Sequence, residues 1–169
     1  DRRSAMAHTA PVRAVDATTY EVTSCADDGS PGTLRYVIDN AVGDGDTADL
    51  SNLSCSTITL ATGEIVIPQN NFTLYSSVEH PVTIDAHGAS RVIEHDGSGV
   101  LGLVRINLAN GYFKYNSGSA TAKGGCVLSN GSIGMTTSSV SACQAVNING
   151  QAEGGAIYTL GDLNALTSS

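Results

Sequence analysis

A ten-residue pattern that returns after thirty residues constrains this chain more than any other feature. Gly124-Gly125-Cys126-Val127-Leu128-Ser129-Asn130-Gly131-Ser132-Ile133 comes back as Gly154-Gly155-Ala156-Ile157-Tyr158-Thr159-Leu160-Gly161-Asp162-Leu163. When 124–139 is aligned with 154–169, six of sixteen positions are identical, and apolar residues coincide at 127/157, 128/158 and 133/163. Self-similarity at a fixed period of roughly 20–50 residues marks a stacked array, in which each unit buries its apolar face only against its neighbours. The units are not helical. Short apolar segments recur instead, among them Ile58-Thr59-Leu60, Ile65-Val66-Ile67, Phe72-Thr73-Leu74 and Val82-Thr83-Ile84, separated by Gly, Asn, Asp and Ser. A sandwich would give longer strands and hairpin turns; segments this short suit the rungs of a solenoid. The expected fold is therefore all-β, a right-handed parallel β-helix over residues 19–169 with its coils from about residue 47.

Composition agrees. The 169 residues include 19 Gly, no Trp and only two Lys, Lys114 and Lys123, which argues against a helical bundle. One helix is expected, over about residues 31–42. Asp28-Gly29 and Pro31-Gly32 mark a turn, and Leu34, Val37, Ile38 and Ala41 then follow at i, i+3, i+4 and i+7. Residues 1–18 read as a flexible N-terminal segment.

The net charge of −8 hides an asymmetry, because Arg2, Arg3 and Arg13 lie at the start. Residues 15–169 carry 15 acids and 5 bases, a balance of −10 that repels a phosphate backbone and argues against nucleic acid as a partner. No apolar run approaches the roughly 18 residues of a membrane-spanning helix. Four cysteines stand at 25, 55, 126 and 143, with no CxxC pair and no histidine at zinc-ligand spacing. Their division into two local pairs, 30 and 17 residues apart, favours Cys25–Cys55 and Cys126–Cys143. Disulfides imply an oxidising compartment, so a secreted, periplasmic or cell-surface protein is expected.

At these motifs the chain resembles a large bacterial family of secreted right-handed parallel β-helix repeat proteins, which includes adhesin-like and pectate-lyase-like solenoids. The features that carry the resemblance are Cys25 closing a first strand, the Gly29–Arg35 segment, Gly45-Asp46-Thr47, and the two stretches that begin at Gly124 and Gly154. The resemblance covers about residues 19–169 and is more specific for fold and secretion than for activity. It implies that the amphipathic helix caps the N-terminal end of the solenoid. It also implies that Cys25–Cys55 ties the cap to the first coils and Cys126–Cys143 ties neighbouring rungs. The second repeat stops at Thr167-Ser168-Ser169, where the first continues to Cys143. The C-terminal end is thus expected to be uncapped, either because the chain is a piece of a longer protein or because self-association covers that end.

The densest polar stretch runs from His80 to Asp96 and supplies the catalytic candidates Asp85, His87, Arg91 and Glu94. Two carboxylates on one face are what a glycoside hydrolase needs, and a carboxylate–cation grouping is what a polysaccharide lyase needs. The competing role for Asp85 is to cap a corner of the coil. Tyr112, Phe113 and Tyr115 form the one aromatic cluster, a candidate carbohydrate- or partner-binding face because rings stack on apolar surfaces. Asp44, Asp46 and Asp49, with Asp27 and Asp28, have the composition of a calcium site but not the EF-hand order, so no metal site or cofactor is expected. Asn52, Asn71 and Asn130 open N-x-Ser/Thr sequons. The expected function is a secreted or cell-surface module, non-catalytic and either adhesin-like in binding or structural; the alternative is a polysaccharide-active enzyme, a lyase or glycoside hydrolase.

Overall fold

The structure, a computed structural model, describes residues 16–116 and 120–167. Most of the expected N-terminal segment 1–18 lies outside the described residues. The chain opens with strand β1 (Thr19–Glu21) and helix α1 (Leu34–Asn40). A first coil follows, with β2 (Asp46–Asp49), β3 (Thr57–Thr59) and β4 (Ile65–Ile67), then a second with β5 (Phe72–Tyr75), β6 (Val82–Asp85) and β7 (Ile93–His95). The third coil is longer: β8 (Val100–Val104), β9 (Ile106–Ala109), β10 (Tyr112–Tyr115), β11 (Ala122–Lys123) and β12 (Val127–Ser129). The fourth repeats it with β13 (Ser132–Thr136), β14 (Ser139–Ser141), β15 (Gln144–Asn147), β16 (Ala152–Glu153) and β17 (Ile157–Thr159), and β18 (Leu163–Leu166) begins a fifth.

Every strand pairing is parallel. Three faces result, with strand orders β1-β2-β5-β8-β13-β18, β3-β6-β9-β14 and β4-β7-β12-β17, and two further sheets contain only β10-β15 and β11-β16. This is a parallel β-solenoid of about five turns. The repeat in the sequence is the stacking register itself: Val127 pairs with Ile157, Leu128 with Tyr158 and Ile133 with Leu163.

Alternation within each rung sends one set of side chains inward. Ile65, Ile93 and Val127 stack in one interior column continued by the partly buried Ile157, and Phe72, Leu101 and Ile133 in another continued by the exposed Leu163. Each fully buried aliphatic side chain contributes roughly 1.5–3 kcal/mol. The leading glycines of the repeat have distinct roles. Gly124 and Gly154 adopt φ of +61° and +56°, which favours glycine, whereas a methyl group at Gly125 would collide with the carbonyl oxygen of Gly155 on the next coil.

The helix is shorter than its apolar spacing predicts. Thr33 caps it, its hydroxyl accepting from the Tyr36 N–H, and Ala41 already has extended backbone with ψ of 113°. All four periodic positions are nevertheless buried. The Gln69 side-chain amide donates to the carbonyls of Ile38 and Ala41, supplying partners that a helix end otherwise lacks. Both expected disulfides form: Cys25–Cys55, with Cα atoms 6.2 Å apart, and Cys126–Cys143, at 5.3 Å. The second joins the third coil to the fourth.

Candidate functional site

The structure divides the four catalytic candidates between two places. Asp85 ends β6, and its Oδ1 accepts from the His87 N–H at 2.7 Å and from the Asn110 side-chain amide at 2.9 Å. His87, Asn110 and Ala142 adopt φ of 53°, 55° and 51°. They sit at the turn that follows β6, β9 and β14 on successive coils, and Asp85 there is a corner cap. His80 and His95 are also tied into the frame. His80 Nε2 meets the Cys55 carbonyl oxygen at 2.9 Å. His95 is fully buried, with Nε2 at 2.9 Å from the Gln69 carbonyl and Nδ1 at 2.8 Å from the Ser129 hydroxyl. A carbonyl only accepts, so Nε2 carries the proton in its bond to Gln69.

Arg91 and Glu94 lie elsewhere, beside a trough that exists because the coils change size. The chain passes from β6 to β7 through residues 86–92, but the third coil inserts β10 and β11 between β9 and β12. This wider coil is stacked by β15 and β16 on one side only, so its other edge overhangs the narrower coils. Around this step lie three neighbouring open depressions, the first sharing Tyr112 with the second and the second sharing Glu64, Arg91 and Phe113 with the third. One of about 460 Å³ is lined by His87, Asn110, Tyr112 and Gln144. The next, about 500 Å³, is lined by Gly63, Glu64, Ser90, Arg91, Phe113 and Lys114. The third, about 290 Å³, is lined by Glu64, Glu94, Phe113, Tyr115, Thr121 and Lys123. All three aromatic candidates thus line the trough.

Arg91 organises its floor. The side chain is 3% exposed and has every nitrogen engaged: Nε donates to the Gly124 carbonyl at 2.9 Å, Nη2 to the Lys123 carbonyl at 3.0 Å, and Nη1 to Glu64 at 2.6 Å and Glu94 at 3.3 Å. The Phe113 ring lies 4.0 Å from the guanidinium, and Tyr115 meets Phe113 edge to face at 5.3 Å. Partial burial pushes the Glu94 carboxyl above its usual range. The adjacent Glu64 carboxylate pushes the same way, and Arg91 opposes both. Lys123 is turned toward Tyr158, 3.0 Å from its hydroxyl and 4.3 Å from its ring, and that hydrogen bond raises its pKa.

Glu64 had not been singled out from the sequence. It stands alone among apolar neighbours and meets Arg91 only across 27 residues. The acidic residues with calcium-like composition have structural roles. Asp46 accepts from the Gly43 and Thr18 N–H groups, Asp44 holds Asn71, and Asp27 pairs with Arg35 while accepting from the Ala61 and Thr62 N–H groups. Among the described residues no three His, Cys, Asp or Glu side chains are grouped to hold a metal ion. All three sequon amides are hydrogen-bonded, Asn71 to Asp44, Asn52 to Glu21 and Asn130 to the Asp96 carbonyl, and Asn52 and Asn130 are the exposed ones.

The class is therefore a disulfide-bonded parallel β-solenoid with an aromatic-walled lateral trough. No family model, curated protein or solved structure matches the chain, so the class rests on architecture alone. Its two disulfides fit an oxidising, extracytoplasmic setting, and no helix among the described residues is long and apolar enough to cross a membrane.

Proposed function

We propose that this chain is a secreted or cell-surface solenoid of the adhesin-like kind, which holds an extended partner in the trough and does not turn it over. The trough under the third coil carries this reading: it is long and open, and its wall includes the 39%-exposed ring of Tyr115. The charged groups favour binding over catalysis. Glu64 and Glu94 lie within hydrogen-bonding reach of each other on one Arg91 nitrogen. That is closer than the about 5 Å or more that separates the two carboxyls of glycoside hydrolases. Arg91 is 3% exposed and each of its nitrogens is already bonded, which leaves it poorly placed to meet a uronate carboxylate, and the raised pKa of Lys123 makes it a poor proton acceptor.

The test is binding and turnover measured together on a panel of soluble polysaccharides and surface-protein peptides, for the parent and for Tyr115→Ala. The expected result is retention of at least one panel member without chain cleavage, weakened in Tyr115→Ala. Release of new reducing or unsaturated ends that Glu94→Gln abolishes would establish the enzyme reading instead.

A further inference from the structure

The hydrogen-bonding parity of β10 leaves a strand edge open along the trough. The Gly111 carbonyl accepts from the Gln144 N–H at 2.8 Å, and the Tyr115 carbonyl accepts from the Ile148 N–H at 3.4 Å. In a parallel ladder, residues whose backbone groups serve one neighbour alternate with residues that serve the other. Phe113 and Tyr115 therefore serve β15, and Tyr112 and Lys114 direct their N–H and C=O groups to the opposite side. The Tyr112 N–H confirms this parity by donating to the Ser90 carbonyl, on the trough side, at 2.8 Å. Three groups remain there: the Tyr112 carbonyl, the Lys114 N–H and the Lys114 carbonyl. Among the described residues β10 has no strand partner except β15, and none of them bonds these three groups.

We infer that the free edge of β10 takes an extended polypeptide segment as an added strand, seated in the trough with an acidic side chain beside Lys114. This rests on the binding reading above and names its partner. The space fits a strand: the 500 Å³ stretch lies along the edge, and its remaining lining is the small residues Thr62, Gly63, Ala89 and Ser90 together with the Glu64–Arg91 ion pair. An added backbone sits about 4.8 Å from its neighbour and repeats its donors and acceptors in step with those of β10. A glycan has no such backbone, so the alternating N–H and C=O groups discriminate between the two. The Lys114 side chain is exposed beside the edge, and opposite charges on neighbouring strands attract. Unprotected edges invite such pairing, which is why proteins ordinarily cover or shorten them.

The probe is a capped hexapeptide of alternating Glu and Val, compared with the same peptide N-methylated on alternate residues and with a panel of neutral oligosaccharides. Binding is followed by amide NMR and by hydrogen exchange at Lys114. The expected result is saturable binding of the unmethylated peptide and slowed exchange of the Lys114 amide. Lys114→Pro removes the edge N–H without touching the ladder to β15, so its melting temperature stays near the parent's while peptide affinity falls at least tenfold. Phe113→Pro, which breaks that ladder, is expected to destabilise the fold. Equal binding of the N-methylated peptide, or undiminished binding by a folded Lys114→Pro, overturns strand addition. Oligosaccharide binding without peptide binding overturns it while leaving the binding module intact, and binding of neither overturns both.

Discussion

Replacing Arg91 with methionine keeps an unbranched apolar stem, shorter than the arginine's, and removes the guanidinium that makes it the centre of the trough floor. The variant loses four hydrogen bonds from a guanidinium that is 3% exposed, together with the contact over Phe113. Two backbone carbonyls, of Gly124 and Lys123, lose their donors, and Glu64 and Glu94 face each other without a cation. Breaking a buried ion pair by deleting one partner costs about 3–5 kcal/mol. Glu64 and Glu94 keep 27% and 31% of their side-chain surface in contact with water, which solvates part of the orphaned charge and points to the lower end, about 3 kcal/mol. For a chain of this size that corresponds to a fall of roughly 6–12 °C in melting temperature. Urea denaturation and thermal melts followed by circular dichroism measure both. The loss has a characteristic pH dependence. Glu94 already has a raised folded-state pKa, and removal of Arg91, the group that lowers it, raises it further. A group raised in this way contributes stability that is present below its unfolded value and lost as pH rises through the folded one. The gap between parent and Arg91→Met is thus widest at neutral pH and narrows on acidification toward the ordinary range of a free glutamate carboxyl. A loss below about 1 kcal/mol, or a gap that does not change between pH 7 and pH 4.5, refutes the assignment of Arg91 as the clamp.

Two further substitutions probe the same frame. Glu94→Gln removes one of two like charges while Glu64 remains on Arg91, so the variant is expected to melt higher than the parent at pH 7 and to converge with it as acid protonates the parent's Glu94; a lower melting point at pH 7 contradicts the repulsion argument. Ala142 holds φ of 51°, a conformation that glycine adopts without the side-chain penalty, so Ala142→Gly is expected to stabilise the fold by up to about 1 kcal/mol in urea denaturation, and a clear loss of stability contradicts it.

The rungs and their register were legible in the sequence because stacking repeats what it needs. The same residue classes return wherever one coil lies over another, which is why 127/157 and 133/163 in the alignment are 127/157 and 133/163 in the sheet. Cysteine spacing was legible for a similar reason, since both bridges join segments close along the winding. The site was less legible. Asp85 and Glu94 are nine residues apart, but a corner intervenes and sends them to different faces, β6 on one and β7 on another. Glu64 and Arg91 are far apart in sequence yet share a floor, because one turn of the solenoid separates them.

The trough follows from a property of solenoids that a linear reading does not expose. A coil can widen only if the next coil widens with it, since each added strand needs a partner; here β15 and β16 match β10 and β11 almost residue for residue. The first wide coil has no such support on its other side. Its added strand must leave backbone groups facing outward over the narrower turns, whatever side chains it carries. The Ser/Gly/Ala-rich excursion after Tyr115 signals an insertion in the sequence, but its consequence depends on the perimeter of the coil before it. The step where the perimeter changes is therefore what places Tyr112, Phe113 and Tyr115 beside Arg91, Glu64 and a strand edge unpaired among the described residues, and it is where the proposed binding is to be sought.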